Sequence, residues 1–268
     1  MEKNQRLRCV VFDLDGTLLD DDKHIKKESL LAIQEELVKN DVKIILASGR
    51  HYCDVEPYLF QIGINNISYI TCCDGLYVFN SEGQLIKKFA FIQPECLFDI
   101  CKFFKRVTVF CENGDYIIGF SPLFSLRYFY LRFIKGVKRV RFLKRKSISS
   151  LRKIEKVRFY CSNDKWCTLV AHGFNVVPYS KNEFDILNSK TGKYFAIKFI
   201  AETMGIDLNQ FLYFGNDYND LDCFFKLKFT VAMGNSPYEI KKNALFVTSS
   251  NNEDGISRAI KHFESFYK

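Results

Sequence analysis

Two aspartates separated by one residue follow an apolar stretch near the start of the chain. The stretch Cys9–Phe12 has the composition of a buried strand, and Asp13-Leu14-Asp15-Gly16-Thr17 comes directly after it. Residues two apart on an extended chain face the same side, so Asp13 and Asp15 are predicted to project together. Adjacent carboxylates repel unless a cation or a proton intervenes, and Mg²⁺ prefers such oxygen ligands. One carboxylate could then be a nucleophile and the other a general acid and base; the alternative is a solvated acidic turn.

Two further segments carry residues suited to binding phosphate. Ala47-Ser48-Gly49-Arg50 ends a second apolar stretch and supplies a hydroxyl, a glycine that permits close approach, and a bidentate cation. Lys193 opens a predicted helix after Thr191-Gly192, where its ammonium and the helix amides could neutralise phosphoryl oxygens. Each pattern alone is also compatible with an ordinary turn or a solvated lysine.

A fourth segment, Gly215-Asn216-Asp217-Tyr218-Asn219-Asp220, follows the apolar stretch Phe211–Phe214. It adds carboxylate and amide oxygens at another strand end, which a site that combines a metal with a phosphoryl group requires. On its own it could equally be an acidic loop that caps a helix.

The elements that must position these segments alternate between apolar strands and amphipathic helices. Strands are predicted at Arg8–Phe12, Val42–Ala47, Ser68–Cys72, Phe211–Phe214, Phe229–Met233 and Leu245–Thr248, and helices at Lys26–Lys39, Lys193–Met204 and Gly255–Phe266. The alternation predicts an α/β fold with a Rossmann-like, doubly wound parallel sheet, formed by residues 1–82 and 187–268. In such sheets ligands bind beyond the carboxyl ends of the strands.

In residues 83–186 the regular alternation of strands and helices ends, which predicts an inserted α+β domain. Helices are expected there near Pro94–Phe104, Pro122–Ile134 and Asp164–Ala171. The insert has a net charge of +12 and the remainder −4, within +8 for the whole chain. A basic module could bind a polyanion, but it also suits an enzyme with a phosphorylated substrate. Aromatic and basic residues interleave in Phe120–Lys146; we interpret them as an amphipathic helix and strand, and nucleic acid is not an expected partner.

Composition excludes several classes of protein. The chain is 47% hydrophobic and 26% charged with few Gly and Pro, which excludes collagen-like and intrinsically disordered chains. No apolar stretch approaches membrane-spanning length and the first eight residues lack a signal-peptide core, so a cytoplasmic protein is expected, without a membrane partner. The ten cysteines lack the paired CxxC spacing of a zinc site and are predicted to be free thiols, mostly buried. No obligate protein partner is evident.

Together, the four segments resemble the haloacid dehalogenase superfamily of aspartate-nucleophile phosphatases. Val231-Ala232-Met233-Gly234-Asn235 and Asp254-Gly255 are similar to its Cof-like type IIB branch, in which a large C2-type α+β cap lies between the second and third motifs. The resemblance covers nearly the whole chain and is clearest outside the insert. It implies a Mg²⁺-dependent phosphomonoester hydrolase acting on a small phosphorylated metabolite, such as a sugar phosphate or a cofactor phosphate.

The resemblance also implies a role for each matching residue. Asp13 is the expected nucleophile, which forms an aspartyl-phosphate, and Asp15 is the expected general acid and base. Ser48 and Lys193 are the expected catalytic residues that hold the phosphoryl group. Other phosphate-binding residues are expected to be Gly16, Gly49, Arg50 and Asn219. The ligands of Mg²⁺ are expected to be Asp13, the backbone carbonyl of Asp15, Asn216 and Asp220.

Two positions depart from the pattern of this family. Asn216 stands where the family usually has a metal-binding aspartate, and an amide oxygen can coordinate Mg²⁺ but brings no charge. Cys73-Asp74-Gly75 stands where Asn-Gly is expected. Two other functions therefore stay open: phosphoryl transfer to another acceptor, as in a mutase, and a phosphate-ligand or polyanion-binding protein in which Asn216 marks weakened catalysis.

Overall fold

The structure is a computed structural model, and it describes residues 6–104, 106–112, 114–119, 140–143, 145–161, 174–180 and 182–268. The predicted helices Pro122–Ile134 and Asp164–Ala171, and most of Phe120–Lys146, lie outside the described residues. Within the described ranges the chain divides into two compact units, Met1–Phe89 with Gly192–Lys268, and Ala90–Thr191.

The larger unit is built on one sheet with helices between its strands. Its strands are β1 (Cys9–Asp13), β2 (Lys43–Ala47), β3 (Ile67–Cys72), β4 (Tyr77–Asn80), β5 (Leu85–Lys88), β12 (Phe211–Gly215), β13 (Phe229–Ala232) and β14 (Phe246–Val247). Its helices are α1 (Lys27–Ala32), α2 (Tyr52–Ile62), α4 (Lys193–Met204), α5 (Leu221–Lys226), α6 (Tyr238–Asn243), α7 (Gly255–His262) and α8 (Glu264–Tyr267). The first helix continues with wider, π-type turns through Ile33–Val38, and α2 was not predicted.

The strand order of this sheet is β14-β13-β12-β1-β2-β3-β4-β5. All neighbours from β14 to β3 are parallel, whereas β4 and β5 are antiparallel additions at one edge. Every residue of β1 is buried, as expected for a central strand covered on both faces. The predicted α/β fold is confirmed, with the refinement that the sheet is mixed rather than wholly parallel.

Alternate residues of the central strands pack against helix α4. Cys9, Val11 and Ile45 belong to one buried cluster with Ala196 and Ile197 of that helix. Burial of the valine and isoleucine side chains among them contributes roughly 1.5–3 kcal/mol each. The result is a rigid frame in which the start of α4, at Lys193, is fixed relative to the ends of the strands.

The smaller unit is an α+β structure around a second sheet. Its strands are β6 (Arg106–Cys111), β7 (Gly114–Gly119), β8 (Val140–Leu143), β9 (Ile154–Tyr160), β10 (Asn175–Ser180) and β11 (Glu183–Leu187), with helix α3 (Pro94–Phe103). The order is β10-β11-β9-β6-β7-β8, antiparallel except for β7 and β8. Val109, Val157 and Phe159 lie in its own hydrophobic core.

The limits of the smaller unit differ from the insert predicted at 83–186. Strand β5 pairs with β4 in the large sheet, so residues up to Phe89 group with the larger unit. At the other end, the smaller unit extends to Thr191, whose hydroxyl donates to the carbonyl of Ala90 at 3.2 Å. The assignment of the two units as a catalytic core and a cap stays a proposal.

Two sequence expectations concern the chain as a whole. None of the helices in the described ranges has the length and apolar character that a membrane crossing requires. The nine cysteines of the described ranges form no disulfide.

Gly75 tests how closely the turn after β3 packs against the residue that precedes α4. Its φ is +89°, and a Cβ there would lie 2.2 Å from the carbonyl oxygen of Gly192. Gly205 has a comparable φ of +63° with no heavy atom within 4 Å. We expect Gly205→Ala to cost about 1–2 kcal/mol from backbone strain alone, and Gly75→Ala to cost at least about 2 kcal/mol more, because backbone must move. Urea unfolding measures both, and equal losses would contradict the tight junction.

Candidate active site

Three of the four chemical segments, and the turn after β3, meet because the strands that precede them are neighbours. Lys193, the remaining segment, is positioned by helix α4, which packs on the same strands. In the order β12-β1-β2-β3 all strands are parallel, so their carboxyl ends lie along one edge of the sheet. Asp13 ends β1, Ser48 follows β2, Asp74 follows β3 and Asn216 follows β12. Residues separated by up to two hundred positions in the chain are thereby brought into one site.

A buried ammonium is the centre of this site. Lys193 Nζ lies 2.6 Å from Asp13 Oδ1 and 2.5 Å from Asp220 Oδ1, and its side chain is 0% exposed. Burial alone would lower the pKa of Lys193, but the attraction of the two carboxylates outweighs it and raises the pKa. The lysine is therefore a fixed cation. Burial raises the pKa of Asp13 to about 7, although Lys193 opposes this effect.

Asp220 is fully occupied as a hydrogen-bond acceptor. Besides Lys193, its Oδ1 accepts from Tyr213 Oη at 2.6 Å, and its Oδ2 accepts from the amides of Asn216 at 2.8 Å and Asp217 at 3.1 Å. Asp217 in turn caps the short helical turn that follows. The structure thus gives this predicted metal ligand a second role, which is to hold Lys193 and the loop after β12 in place.

Asp15 is held by two cations on the open side of the site. Arg50 forms a bidentate pair with it, with Nε–Oδ2 and Nη2–Oδ1 distances of 2.6 Å, and Lys23 Nζ lies 2.8 Å from Oδ1. Arg50 also donates to the hydroxyl of Tyr58 at 3.2 Å. Partial burial opposes ionisation, but the hydrogen bonds from both cations lower the pKa of Asp15 to about 2. At neutral pH Asp15 is therefore a carboxylate.

The loop after β2 lies against the turn after β3. Ser48 is buried, and its Oγ accepts from the amide of Arg50 at 3.1 Å. Asp74 donates its amide to the carbonyl of Ser48 and accepts from Asn219 Nδ2, both at 3.1 Å. A Cβ at Gly49 would lie 2.8 Å from Asp74 Oδ1, so the glycine is needed for this close approach. These contacts bring together four of the residues expected to bind phosphate.

The oxygens around Asn216 fit the ligand preferences of Mg²⁺. One terminal atom of its carboxamide lies 2.9 Å from the carbonyl oxygen of Asp15, 3.2 Å from Asp13 Oδ2 and 3.0 Å from Thr17 Oγ1. Neighbouring ligands of octahedral Mg²⁺, at 2.0–2.1 Å from the metal, are about 2.9 Å apart. A carboxylate, a backbone carbonyl and a side-chain amide are hard oxygen donors, so Asp13, Asp15 and Asn216 fit this metal. Both oxygens of Asp220 are already engaged.

Comparison with known proteins identifies the family of this chain. Residues 10–260 match the family model of the haloacid dehalogenase-like hydrolases, so the chain belongs to that family. It is 27% identical over 267 residues to the Bacillus subtilis protein named "Putative phosphatase YkrA", with 95% of this chain and 96% of the relative covered.

Solved structures show the same fold at low sequence identity. The subclass IIB sugar phosphatase BT4131 superposes with a TM-score of 0.77 at 20% identity, over 96% of this chain and 99% of the neighbour. BT1666 from Bacteroides thetaiotaomicron gives a TM-score of 0.79 at 18% identity, over 98% and 97%. The fold is thus that of subclass IIB of the superfamily.

Several residues that lie in the site were not predicted from the sequence. Thr17, Lys23, Asp74 and Tyr213 contact predicted site residues. Thr17 and Asp74 directly flank motifs, which is a signal that could have identified them. Lys23 and Tyr213 carry no such signal, because the first lies beyond the turn after β1 and the second resembles any aromatic residue of a buried strand.

The ion pair of Asp15 and Arg50 predicts that the coupling free energy between these two residues in unfolding depends on pH. Because the pKa of Asp15 is lowered from 3.8 to about 2, the pair stabilises the fold above pH 4 and is lost as pH falls through about 2. Asp15 is about half exposed, so screening limits the coupling to about 1 kcal/mol or less. A double-mutant cycle of Asp15→Asn and Arg50→Gln, measured by urea unfolding, should show coupling at pH 7 that declines toward pH 3. A coupling that does not change with pH would contradict the assignment.

Proposed function

We propose that the chain is a Mg²⁺-dependent phosphatase that hydrolyses small phosphorylated metabolites through an aspartyl-phosphate on Asp13. The observation that carries the proposal is the buried Lys193 ammonium between Asp13 and Asp220, at the carboxyl edge of the sheet. Phosphoryl transfer requires mainly in-line positioning and neutralisation of charge. The buried carboxylate is a nucleophile held in position, and the fixed cation beside it neutralises charge.

The two oxygens of Asp13 have different surroundings, which divides their roles. Oδ2 faces Asn216 and the carbonyl of Asp15, so we assign it to the metal. Oδ1 accepts from Lys193, and we assign it to attack on phosphorus, with the ammonium then neutralising a phosphoryl oxygen. When bound, Mg²⁺ would supply positive charge that favours the ionised nucleophile and the developing phosphoryl charge.

Proton transfer falls to Asp15 in this mechanism. Asp15 is a carboxylate while Arg50 and Lys23 hold it, and it takes up a proton from solvent once the arriving phosphoester has drawn Arg50 away. As the bond from Oδ1 to phosphorus forms and the ester P–O bond breaks, Asp15 gives that proton to the leaving alcohol. The carboxylate then takes a proton from the water that attacks the aspartyl-phosphate, which releases inorganic phosphate and regenerates Asp13. Arg50, which holds Asp15 in the structure, also matches a phosphate geometrically, so we assign it to exchange Asp15 for the arriving phosphoester.

Ser48, Gly49 and Asn219 complete the proposed phosphate site. Ser48 and Gly49 lie at the end of β2, and Asn219 is oriented by Asp74. The unit Ala90–Thr191 is proposed to be the cap domain, as expected for the insert at 83–186. The names of relatives support a phosphorylated metabolite as substrate: one structural neighbour is called a sugar phosphatase, and a Serratia proteamaculans protein 35% identical over 80 residues, 30% of this chain, is called HMP-PP phosphatase.

Replacement of the nucleophile tests the proposal. Asp13→Asn keeps the shape of the side chain but removes the nucleophilic carboxylate, so phosphate release from a panel of small phosphomonoesters should fall at least about 10³-fold. Asp41→Asn is the matched control, because Asp41 is exposed and precedes the amino end of β2. It should retain activity within about twofold. Full activity of Asp13→Asn would overturn the mechanism.

Removal of divalent cations tests the proposed metal. Chelation should abolish phosphate release, because the charge that draws Asp13 toward its ionised form is lost, and added Mg²⁺ should restore it. The assay is phosphate release before and after dialysis against a chelator. Undiminished turnover in the metal-free enzyme would contradict the metal assignment.

Phosphoryl transfer to another acceptor shares the first half-reaction with hydrolysis. Product analysis in the presence of a competing alcohol separates the two, since a transferase would form the new ester in preference to inorganic phosphate. A polyanion-binding protein would instead retain nucleic acid at physiological salt and release no phosphate.

A further inference from the structure

Of the three groups that fit the metal, only the Asp13 carboxylate is charged, whereas the Asn216 carboxamide and the Asp15 backbone carbonyl are neutral. Its backbone amide is fixed by Asp220 Oδ2 at 2.8 Å, so the start of its side chain has a defined position. A Cβ on Gly16 would lie 2.4 Å from its Nδ2, which shows how closely the amide packs on the turn after β1. The end of the side chain therefore lies against the oxygens of that turn.

The two ends of this amide have opposite chemistry toward the same oxygens. If the inward atom is the nitrogen, it donates to the carbonyl of Asp15 at 2.9 Å and to Asp13 Oδ2 at 3.2 Å. If it is the oxygen, it faces two acceptors, which is unfavourable unless a cation lies between them. The Thr17 hydroxyl, 3.0 Å away, suits both orientations, because it can accept from the nitrogen or donate to the oxygen.

We propose that the Asn216 carboxamide is a two-position element of the metal site. With its nitrogen inward it hydrogen-bonds the turn oxygens and stabilises the metal-free protein; with its oxygen inward it is a neutral ligand of Mg²⁺. The inference rests on the proposed function, since it concerns the same metal. In the metal-free protein the amide then has its hydrogen-bond partners in the turn. Binding of Mg²⁺ requires the amide to rotate and lose them, which limits the affinity for the metal.

The charges around the site explain why the affinity should be limited. Asp13 and Asp220 share the single charge of Lys193, and Asp15 is neutralised by Arg50 and Lys23. Three carboxylates thus face three cations, so these six groups leave no net negative charge to attract a divalent cation. A carboxylate at position 216 would add a negative charge a few ångströms from the metal, where electrostatic attraction is strong. It would also lose the hydrogen bonds that the amide donates in the metal-free state.

The two effects give the aspartate variant a distinctive signature. Asn216→Asp should bind Mg²⁺ at least about tenfold more tightly than the unchanged protein, which is about 1.4 kcal/mol. In the absence of metal it should melt at a lower temperature, because two carboxylates and a carbonyl then face one another. Added Mg²⁺ should therefore raise its melting temperature more than that of the unchanged protein.

The experiment is calorimetric titration with MgCl₂ at pH 8, with thermal unfolding on the same metal-free preparations. Asn209→Asp is the matched control: it makes the same charge change just before the amino end of β12, at an exposed position. It should leave the Mg²⁺ dissociation constant within about twofold. Tighter binding by Asn216→Asp, together with its lower metal-free melting temperature, supports the proposal.

Other outcomes separate this inference from the proposed function. Equal Mg²⁺ affinity in Asn216→Asp and the unchanged protein, or an unchanged metal-free melting temperature, overturns the role of the amide. Phosphate release, assayed on the same samples, reports on the function independently. Mg²⁺-dependent release with no effect of Asn216→Asp leaves the phosphatase standing and removes the inference. Absence of both Mg²⁺ binding and release removes both.

Discussion

The structure depends on a buried lysine ammonium held between two carboxylates. An isolated buried charge is prohibitively unfavourable, so Lys193 can be accommodated only if Asp13 and Asp220 are brought to it with hydrogen-bonding geometry. That requirement links three distant parts of the chain: the end of β1, the start of α4 and the loop after β12. The same contact that satisfies the buried lysine places a cation beside the proposed nucleophile.

The order of the strands brings the groups around Lys193 together with the other residues of the site. Because β12, β1, β2 and β3 are adjacent and parallel, one sheet edge collects the end of each strand, and the chemistry needs no long loops. Glycines admit the close approaches: Gly16 beside Asn216, and Gly49 beside Asp74. Asp13 and Lys193, where the proposed reaction takes place, are both buried. Asp15, which is held by Arg50 and Lys23, is the proposed acid and base and would have to exchange partners.

Much of this arrangement was predictable from sequence, for identifiable reasons. The α/β fold followed from apolar strands alternating with helices, and the motifs around Asp13 and Ser48 followed from their places at strand ends. The membership of strands β4 and β5 in the large sheet could not be predicted, because it depends on pairing partners rather than on composition. The hydrogen bonds of Asp220 could not be predicted either, because a carboxylate that binds metal and one that holds a lysine have the same sequence signature.

The most direct test of the account is to trap the covalent intermediate. Acid quenching during turnover of a reactive phosphomonoester, reduction with borohydride and peptide mass spectrometry identify the aspartate that carried phosphate, because reduction converts it to homoserine. The account predicts homoserine at position 13 and at no other aspartate. Turnover without a reduced aspartate, or with the label at Asp15, would contradict the central role assigned to the pair of Asp13 and Lys193.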